Sequence, residues 1–338
     1  MPLHVALIGY GLGGATFHAP YIAAHPDLVL DAIVTADPDR RERARREHPS
    51  AALLDRVEQI VERRDAFDLV VVASPNATHV PLAMVLLDAG LSVVVDKPLA
   101  RTADGARMLY ERARARGVML TPFQNRRWDG DFLTVRRLLA EARLGEVFRF
   151  ESRFERWRAT PKPRWCTPDA VANAEGIIYD IGAHLVDQAI ALFGPVREMH
   201  ATSSRVHPDV RVPDDAAIAL THAAGVRSHL VMSATAGQSG PRMSVYGARG
   251  AYIKYGLDVQ EDAARAGGKP TDAHWGEEPE AMWGTLGVGA EITRVRTERG
   301  TYLGFYDAVA SCLARGGPPP VAPDEAIAVI EILENASR

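Results

Sequence analysis

Along the first third of the chain, short aliphatic runs alternate with stretches of helical period. The runs are His4–Ile8, Leu28–Val34, Leu69–Ala73, Ser92–Val95 and Val118–Leu120. Three of them are nearly unbroken Val, Leu and Ile, the pattern of strands buried on both faces. Between them, Val80 to Ala89 ends at Gly90. Ala103 to Arg116 begins after Thr102, a residue suited to an N-cap, and stops at Gly117. Strand and helix in alternation predict a parallel, doubly wound sheet with right-handed crossovers.

The pattern changes after about Phe123. Asp129 to Leu144 predicts one more helix. Glu146–Arg158 then alternates, with Phe148, Phe150 and Phe154 on one face and Arg149, Glu151, Arg153 and Glu155 on the other. A period of two predicts a half-exposed antiparallel strand. Similar runs follow at Arg197–Val206, Ala216–His222, Val226–Ala234, Met243–Val245 and Tyr252–Lys254, interrupted by one amphipathic helix, Ile181 to Phe193. Gly256–Glu280 reads as a long loop, and Gly316–Pro320 as a stiff linker before a last helix, Asp324–Asn335. The expected fold is α/β: an N-terminal Rossmann domain, residues 1–122, with a doubly wound parallel sheet, then a C-terminal α+β domain, residues 123–338, with an open, mainly antiparallel sheet.

Composition narrows the function. With 338 residues, 47% hydrophobic and 24% charged, the chain is an ordinary globular protein of about two domains. A net charge of −4 lacks the basic face that nucleic-acid binding needs. No apolar run approaches the roughly 20 residues of a membrane helix. Val5–Ile8 has no basic segment before it and runs into Gly9-Tyr10-Gly11, so it reads as a strand and not as a signal peptide. Only two cysteines are present, which favours a reducing compartment, the cytoplasm.

Gly9-Tyr10-Gly11-Leu12-Gly13-Gly14 fits G-x-G-x-x-G between a strand and a helix, the context of dinucleotide binding. Gly9 permits the turn, Gly11 lets backbone approach the pyrophosphate, and Gly14 lets the helix pack on the strand. The ribose selector belongs at the end of the second strand. Thr35 and Ala36 stand there, and Asp37 and Asp39 come later. A small hydroxyl at Thr35 leaves room for a 2′-phosphate, with Arg40 or Arg41 placed to pair with it, so NADP is expected over NAD. In the alternative, Asp37 caps the next helix and the arginines are solvated surface.

Three further segments carry chemistry. One strand ends in Ser74-Pro75-Asn76-Ala77-Thr78-His79, the next in Asp96-Lys97-Pro98, and a later helix begins Tyr179-Asp180-Ile181-Gly182-Ala183-His184. In doubly wound sheets ligands lie beyond the carboxyl ends of strands. Asp180 and His184, four apart on a helix, share one face.

With these motifs the sequence resembles the Gfo/Idh/MocA family of nicotinamide-dependent sugar and cyclitol oxidoreductases, over essentially its whole length. It is most similar to the branch containing NADP-dependent scyllo-inositol dehydrogenases, through Gly9-Tyr10-Gly11, Phe17-His18-Ala19-Pro20, Phe123–Asp129 and Tyr179–His184. Asp96 stands where most of the family has Glu, which shortens the acid by a methylene beside Lys97. The resemblance implies hydride transfer between nicotinamide C4 and a secondary alcohol or ketone. His184 would act as acid and base, Lys97 would stabilise the alkoxide, and Asp180 would hold substrate or the charged pair. Ser74, Pro75, Asn76, His79, Asn125 and Arg127 would lie near the cofactor, with Asn125 also near substrate. Lys97 is the only lysine expected at the reacting centre.

Arg153, Trp157 and Trp165 are candidate substrate residues, because a polyol needs directional polar groups and an aromatic wall. Strand-face packing or a subunit interface explains them equally well. Asp187 is placed equally well beside His184 or on a solvated helix face. The open second sheet predicts a homodimer or homotetramer. Three other function classes stand against the enzyme. A non-catalytic NADP(H)-binding regulator would not need Lys97, Asp180 and His184 together. A methyltransferase would keep an acidic residue at the second strand end. A zinc dehydrogenase would need more than the isolated Cys166 and Cys312.

Overall fold

A computed structural model describes residues 2–338. Its chain divides into two compact units. The first holds residues 1–125, 262–273 and 302–327; the second holds 126–261, 274–301 and 328–338. The expected boundary at residue 122 falls near the first break. No composition shift or linker signals that the chain later returns to the first unit.

In the first unit, β1 (Leu3–Ile8), β2 (Leu28–Val34), β3 (Ala52–Leu54), β4 (Leu69–Val72), β5 (Ser92–Val95) and β6 (Leu120–Pro122) form a six-stranded sheet in the order β3-β2-β1-β4-β5-β6. All neighbours are parallel. This is the doubly wound order, and the side chains of β4 are buried throughout, as its unbroken Leu-Val-Val-Val predicts. Helices fill the crossovers: α1 (Ala19–Ala24), α2 (Pro38–Glu47), α3 (Glu58–Glu62), α4 (His79–Asp88) and α5 (Ala103–Arg116). Thr102 caps α5 by accepting from the Gly105 N–H at 3.2 Å. β3 was not expected; three residues are too few to show a period.

The second unit begins with α6 (Gly130–Ala140) and is built on an eight-stranded sheet. Its strands are β7 (Val147–Glu155), β8 (Val196–Ser204), β9 (Asp215–His222), β10 (Arg227–Ser233), β11 (Met243–Gly247), β12 (Gly250–Lys254), β13 (Gly284–Val288) and β14 (Glu291–Val295), in the order β14-β13-β12-β11-β7-β10-β9-β8. Only β7 and β10 run parallel. One face is covered by α7 (Ala183–Phe193): Phe150 of β7 lies 5.3 Å, ring to ring, from Phe193. Phe148 shares that parity but is exposed, because it precedes the packed stretch. Inside the expected loop lies α8 (Gln260–Arg265); later in the chain come α9 (Leu303–Arg315), which belongs to the first unit, and α10 (Pro323–Ala336).

This unit also buries ions that the sequence reads as surface. Lys254 and Glu278 face each other at 3.1 Å with no solvent exposure, and Arg242 lies 3.1 Å from Asp131. Burial pushes the Glu278 carboxyl above its ordinary range, and Asp258 likewise, where the charge of Asp131 adds to the effect.

Candidate active site

In the first unit, the carboxyl ends of β1, β2, β4 and β5 carry the nucleotide motifs. Gly9 has φ +96°, and a Cβ there would lie 2.5 Å from the Ala73 carbonyl oxygen. A Cβ on Gly14 would lie 1.9 Å from the Gly9 oxygen, so only glycine lets the helix of residues 12–24 pack against the turn. That helix offers its N-terminal N–H groups to an anion. Residues Gly14–His18 form a π-helical stretch within it. Leu12 is exposed and Gly13 half-buried. The only group near a Cβ on Gly11 would be the Arg40 guanidinium, whose Nη1 would be 3.5 Å away. The loop is therefore open to a pyrophosphate and has a cation beside it.

At the end of β2, Thr35 is buried. Asp37 caps α2, its Oδ1 accepting the Arg40 N–H at 3.0 Å, and its Oδ2 lies 3.7 Å from the Arg40 guanidinium. Arg41 is also committed, to Asp55 at 2.6 Å and the Leu53 carbonyl at 2.9 Å. Of the two expected arginines, Arg40 alone stands at the glycine loop. These residues fit a dinucleotide.

Ser74 and Thr78 bond through their hydroxyls at 2.6 Å, stiffening the turn that carries Pro75 and Asn76. His79 is buried, with Nδ1 2.8 Å from the Pro98 carbonyl oxygen and Nε2 2.9 Å from that of Ser74. Its ring ties one strand-end turn to the next. The expected cofactor contact of this side chain gives way to a clamp, because both ring nitrogens already meet protein. Beside it, Asp96 Oδ1 accepts the Lys97 N–H at 2.7 Å. Burial alone would raise the Asp96 carboxyl. His18, Lys97 and His79 outweigh it and hold the group below its usual range.

In the second unit, a π-helical turn, Ile178–Gly182, runs directly into α7, so Asp180 and His184 lie on one continuous helix. A Cβ on Gly182 would lie 3.0 Å from Met232 Sδ of β10, which fixes how closely this helix seats on the sheet. His184 is buried. Asp180 Oδ2 is ion-paired with Lys162, and Arg164 lies 3.7 Å from Oδ1 while pairing with Glu175 at 2.7 Å. From the sequence only Lys97 is expected near Asp180 and His184; in the second unit Asp180 is paired with a lysine of its own, Lys162. Nothing in the spacing from 162 to 180 could have signalled that contact.

Asp187 is neither solvated nor free. Arg127 donates to it twice, Nε at 2.9 Å and Nη2 at 2.7 Å, and both side chains are largely buried. The guanidinium expected near the cofactor makes this pair within the second unit. Asn125 is buried at the end of the first unit's opening segment. Trp165 is fully buried, with Lys162 Nζ 5.2 Å from its ring centroid, so it is core and not a substrate wall. Trp157 is 65% exposed just beyond β7. Arg153 points away from Phe150, Ser152 and Phe154 and lines the open face of the sheet with Arg149, Glu151, His200 and His229. The pleat therefore puts Arg153 on the face opposite the helix carrying Asp180 and His184, against the expected substrate role.

No helix among the described residues is long and apolar enough to cross a membrane. Comparison with known proteins matches residues 3–124 to the model of an oxidoreductase family with an NAD-binding Rossmann fold, and residues 132–253 to the GFO/IDH/MocA C-terminal domain. The chain is 32% identical to the scyllo-inositol 2-dehydrogenase (NADP(+)) IolW of Bacillus subtilis, covering 99% of this chain and 92% of that one. It is 37% identical to the uncharacterized oxidoreductase YdgJ of Escherichia coli, over 98% and 94%. The solved structure of the oxidoreductase yvaA from Bacillus subtilis superposes with a TM-score of 0.92 at 31% identity, over 99% and 95%. The chain therefore belongs to the Gfo/Idh/MocA family of NAD-binding oxidoreductases.

Proposed function

We propose that the protein is an NADP-dependent dehydrogenase or reductase acting on a secondary alcohol or ketone of a cyclitol or sugar. When bound, the dinucleotide accepts or returns hydride at nicotinamide C4. This chain's own residues handle the proton and the charge. His184 takes the hydroxyl proton as the carbinol is oxidised and returns it in reduction. The Lys97 ammonium stabilises negative charge on the same oxygen. Asp180, whose Oδ2 is paired with Lys162, accepts a hydrogen bond from a substrate hydroxyl. Thr35 in place of an acid at the end of β2, and Arg40 beside Gly11, support a 2′-phosphate and hence NADP over NAD.

What supports this assignment is a set of residues suited to alcohol chemistry, Lys97, Asp180 and His184, in a chain 32% identical over 99% of its length to a protein named as an NADP-dependent scyllo-inositol dehydrogenase. The test is a panel of inositol isomers and aldoses with NADP and NAD, read at the nicotinamide absorbance. Turnover is expected with at least one cyclitol or sugar. Lys97→Ala and His184→Ala should lose most of it while still binding NADPH by fluorescence. A wild-type protein that binds NADPH and turns over nothing in the panel is instead a regulator on this scaffold. The open sheet face around Arg149, Arg153 and His229 is the surface through which we expect a homodimer or homotetramer; a monomer by light scattering at micromolar concentration would remove that expectation.

A further inference from the structure

The first unit contains a buried polar chain with no part in the chemistry above. His18, at the end of the π-helical stretch, has no solvent exposure. Its Nδ1 lies 2.7 Å from the hydroxyl of Tyr306, brought from α9 and equally buried. Its Nε2 has no hydrogen-bond partner and lies 3.8 Å from Asp96 Oδ2. Phe123 covers the ring, with centroids 4.1 Å apart. The other oxygen of the same carboxylate, Oδ1, takes the Lys97 backbone N–H at 2.7 Å. A Cβ on Gly13 would lie 2.9 Å from Oδ2, so the carboxylate also abuts the glycine loop.

We propose that Tyr306 and His18 are positioning residues for Lys97, acting through the Asp96 carboxylate. This rests on the dehydrogenase assignment made above. An apolar side chain would fill the space around Phe123 without burying an imidazole nitrogen that lacks a partner, a cost a protein retains where the group has work to do. Burial and the charge of Asp96 hold the Tyr306 phenol far above its ordinary range, so it keeps its proton and donates it to Nδ1. The imidazole proton is then on Nε2, aimed at Asp96 Oδ2. Asp96 is thereby held from behind while it fixes the backbone of Lys97 in front. His18 is the last residue of the π-helical stretch, a kind of turn found mostly at functional sites.

The experiment compares Tyr306→Phe, His18→Phe and His18→Gln with wild type, on the polyol turned over fastest in the panel. Tyr306→Phe and His18→Phe should lower kcat by about 10-fold or more, as removing an outer partner of a reacting group does, with the NADPH Kd within about twofold. His18→Gln, which can still point a donor at Asp96, should recover part of the loss. Asp96→Glu, longer by one methylene, closes the gap to Nε2 and should stay active. Unchanged kcat in Tyr306→Phe overturns the proposal, and so does a loss of NADPH affinity as large as the loss of kcat, which would mean support of the glycine loop alone. Tyr306→Phe removes a single oxygen and decides the matter if His18→Phe fails to fold. A readout independent of turnover is the nitrogen NMR spectrum of His18. A hydrogen on Nε2 is expected, and an imidazole protonated on Nδ1 alone refutes the chain. An inactive wild type would sink the dehydrogenase assignment while this spectrum still judged the geometry.

Discussion

Arg127 divides two accounts of the second unit, and its removal distinguishes them. Its guanidinium makes a two-pronged contact with Asp187, at 2.9 and 2.7 Å, with side-chain exposures of 12% and 2%. Arg127→Ala takes two charged donors away from a buried carboxylate. Breaking such a pair from one side costs about 3–5 kcal/mol, whereas replacing both members with apolar groups is often close to neutral. At roughly 2–4 °C per kcal/mol for a unit of this size, the melting temperature should fall by about 6–20 °C. Arg127→Met with Asp187→Leu should regain most of that loss, a non-additivity expected of residues in contact. Thermal melts followed by circular dichroism measure both. NADPH fluorescence titrations, run where the variants are folded, should show affinity within about twofold of wild type, since a group acting only on stability leaves binding unchanged. A melt shifted by less than about 2 °C, under 1 kcal/mol, together with a tenfold weaker NADPH, would refute this account and return the guanidinium to the cofactor.

Further perturbations probe other parts of the chain. Gly14→Ala puts a methyl 1.9 Å from the Gly9 oxygen and should abolish NADPH binding, measured by titration; near-normal affinity would mean the turn relaxes freely. Thr35→Asp places a negative charge where a 2′-phosphate is expected. Like charges about 5 Å apart repel by roughly 0.8 kcal/mol in water and about 3 kcal/mol at an effective dielectric near 20, so the NADP-to-NAD preference should fall by about tenfold. An unchanged ratio of kcat/KM would contradict the selector. Glu278, raised by burial, binds a proton more readily folded than unfolded. Its contribution to stability therefore grows as pH falls through its folded value and is complete below the ordinary carboxylate range. Glu278→Gln should flatten that part of the urea-midpoint profile below neutrality; an identical profile would place the titration elsewhere.

What was legible in the sequence was local. β1, β2, β4 and β5 announce themselves because most of their residues are buried and aliphatic, those of β4 without exception. Thr102 and Gly117 mark both ends of α5 because capping is set within one turn. β13 and β14 escaped notice because the edge of the second sheet is Gly-rich or exposed, so its alternation carries no hydrophobic signal. The glycine loop and the Asp180–His184 spacing could be found for the same local reason. Lys162 on Asp180, Arg127 on Asp187 and Tyr306 on His18 join residues separated by 18, 60 and 288 positions, and no short-range period encodes such distances. The π stretch at Gly14–His18 is likewise silent, since one added residue leaves composition and helical character intact.

The return of α9 to the first unit has a consequence during synthesis. Tyr306 and Phe305 complete the packing around His18 and Phe123, and Asp307 reaches His25 at 3.1 Å. At about 5–20 residues per second, a ribosome that has released residue 125 needs roughly 10–40 s more to deliver residue 327. For that interval the nascent nucleotide fold carries an unfinished aromatic surface, which chaperones, or a prompt second half, must shield.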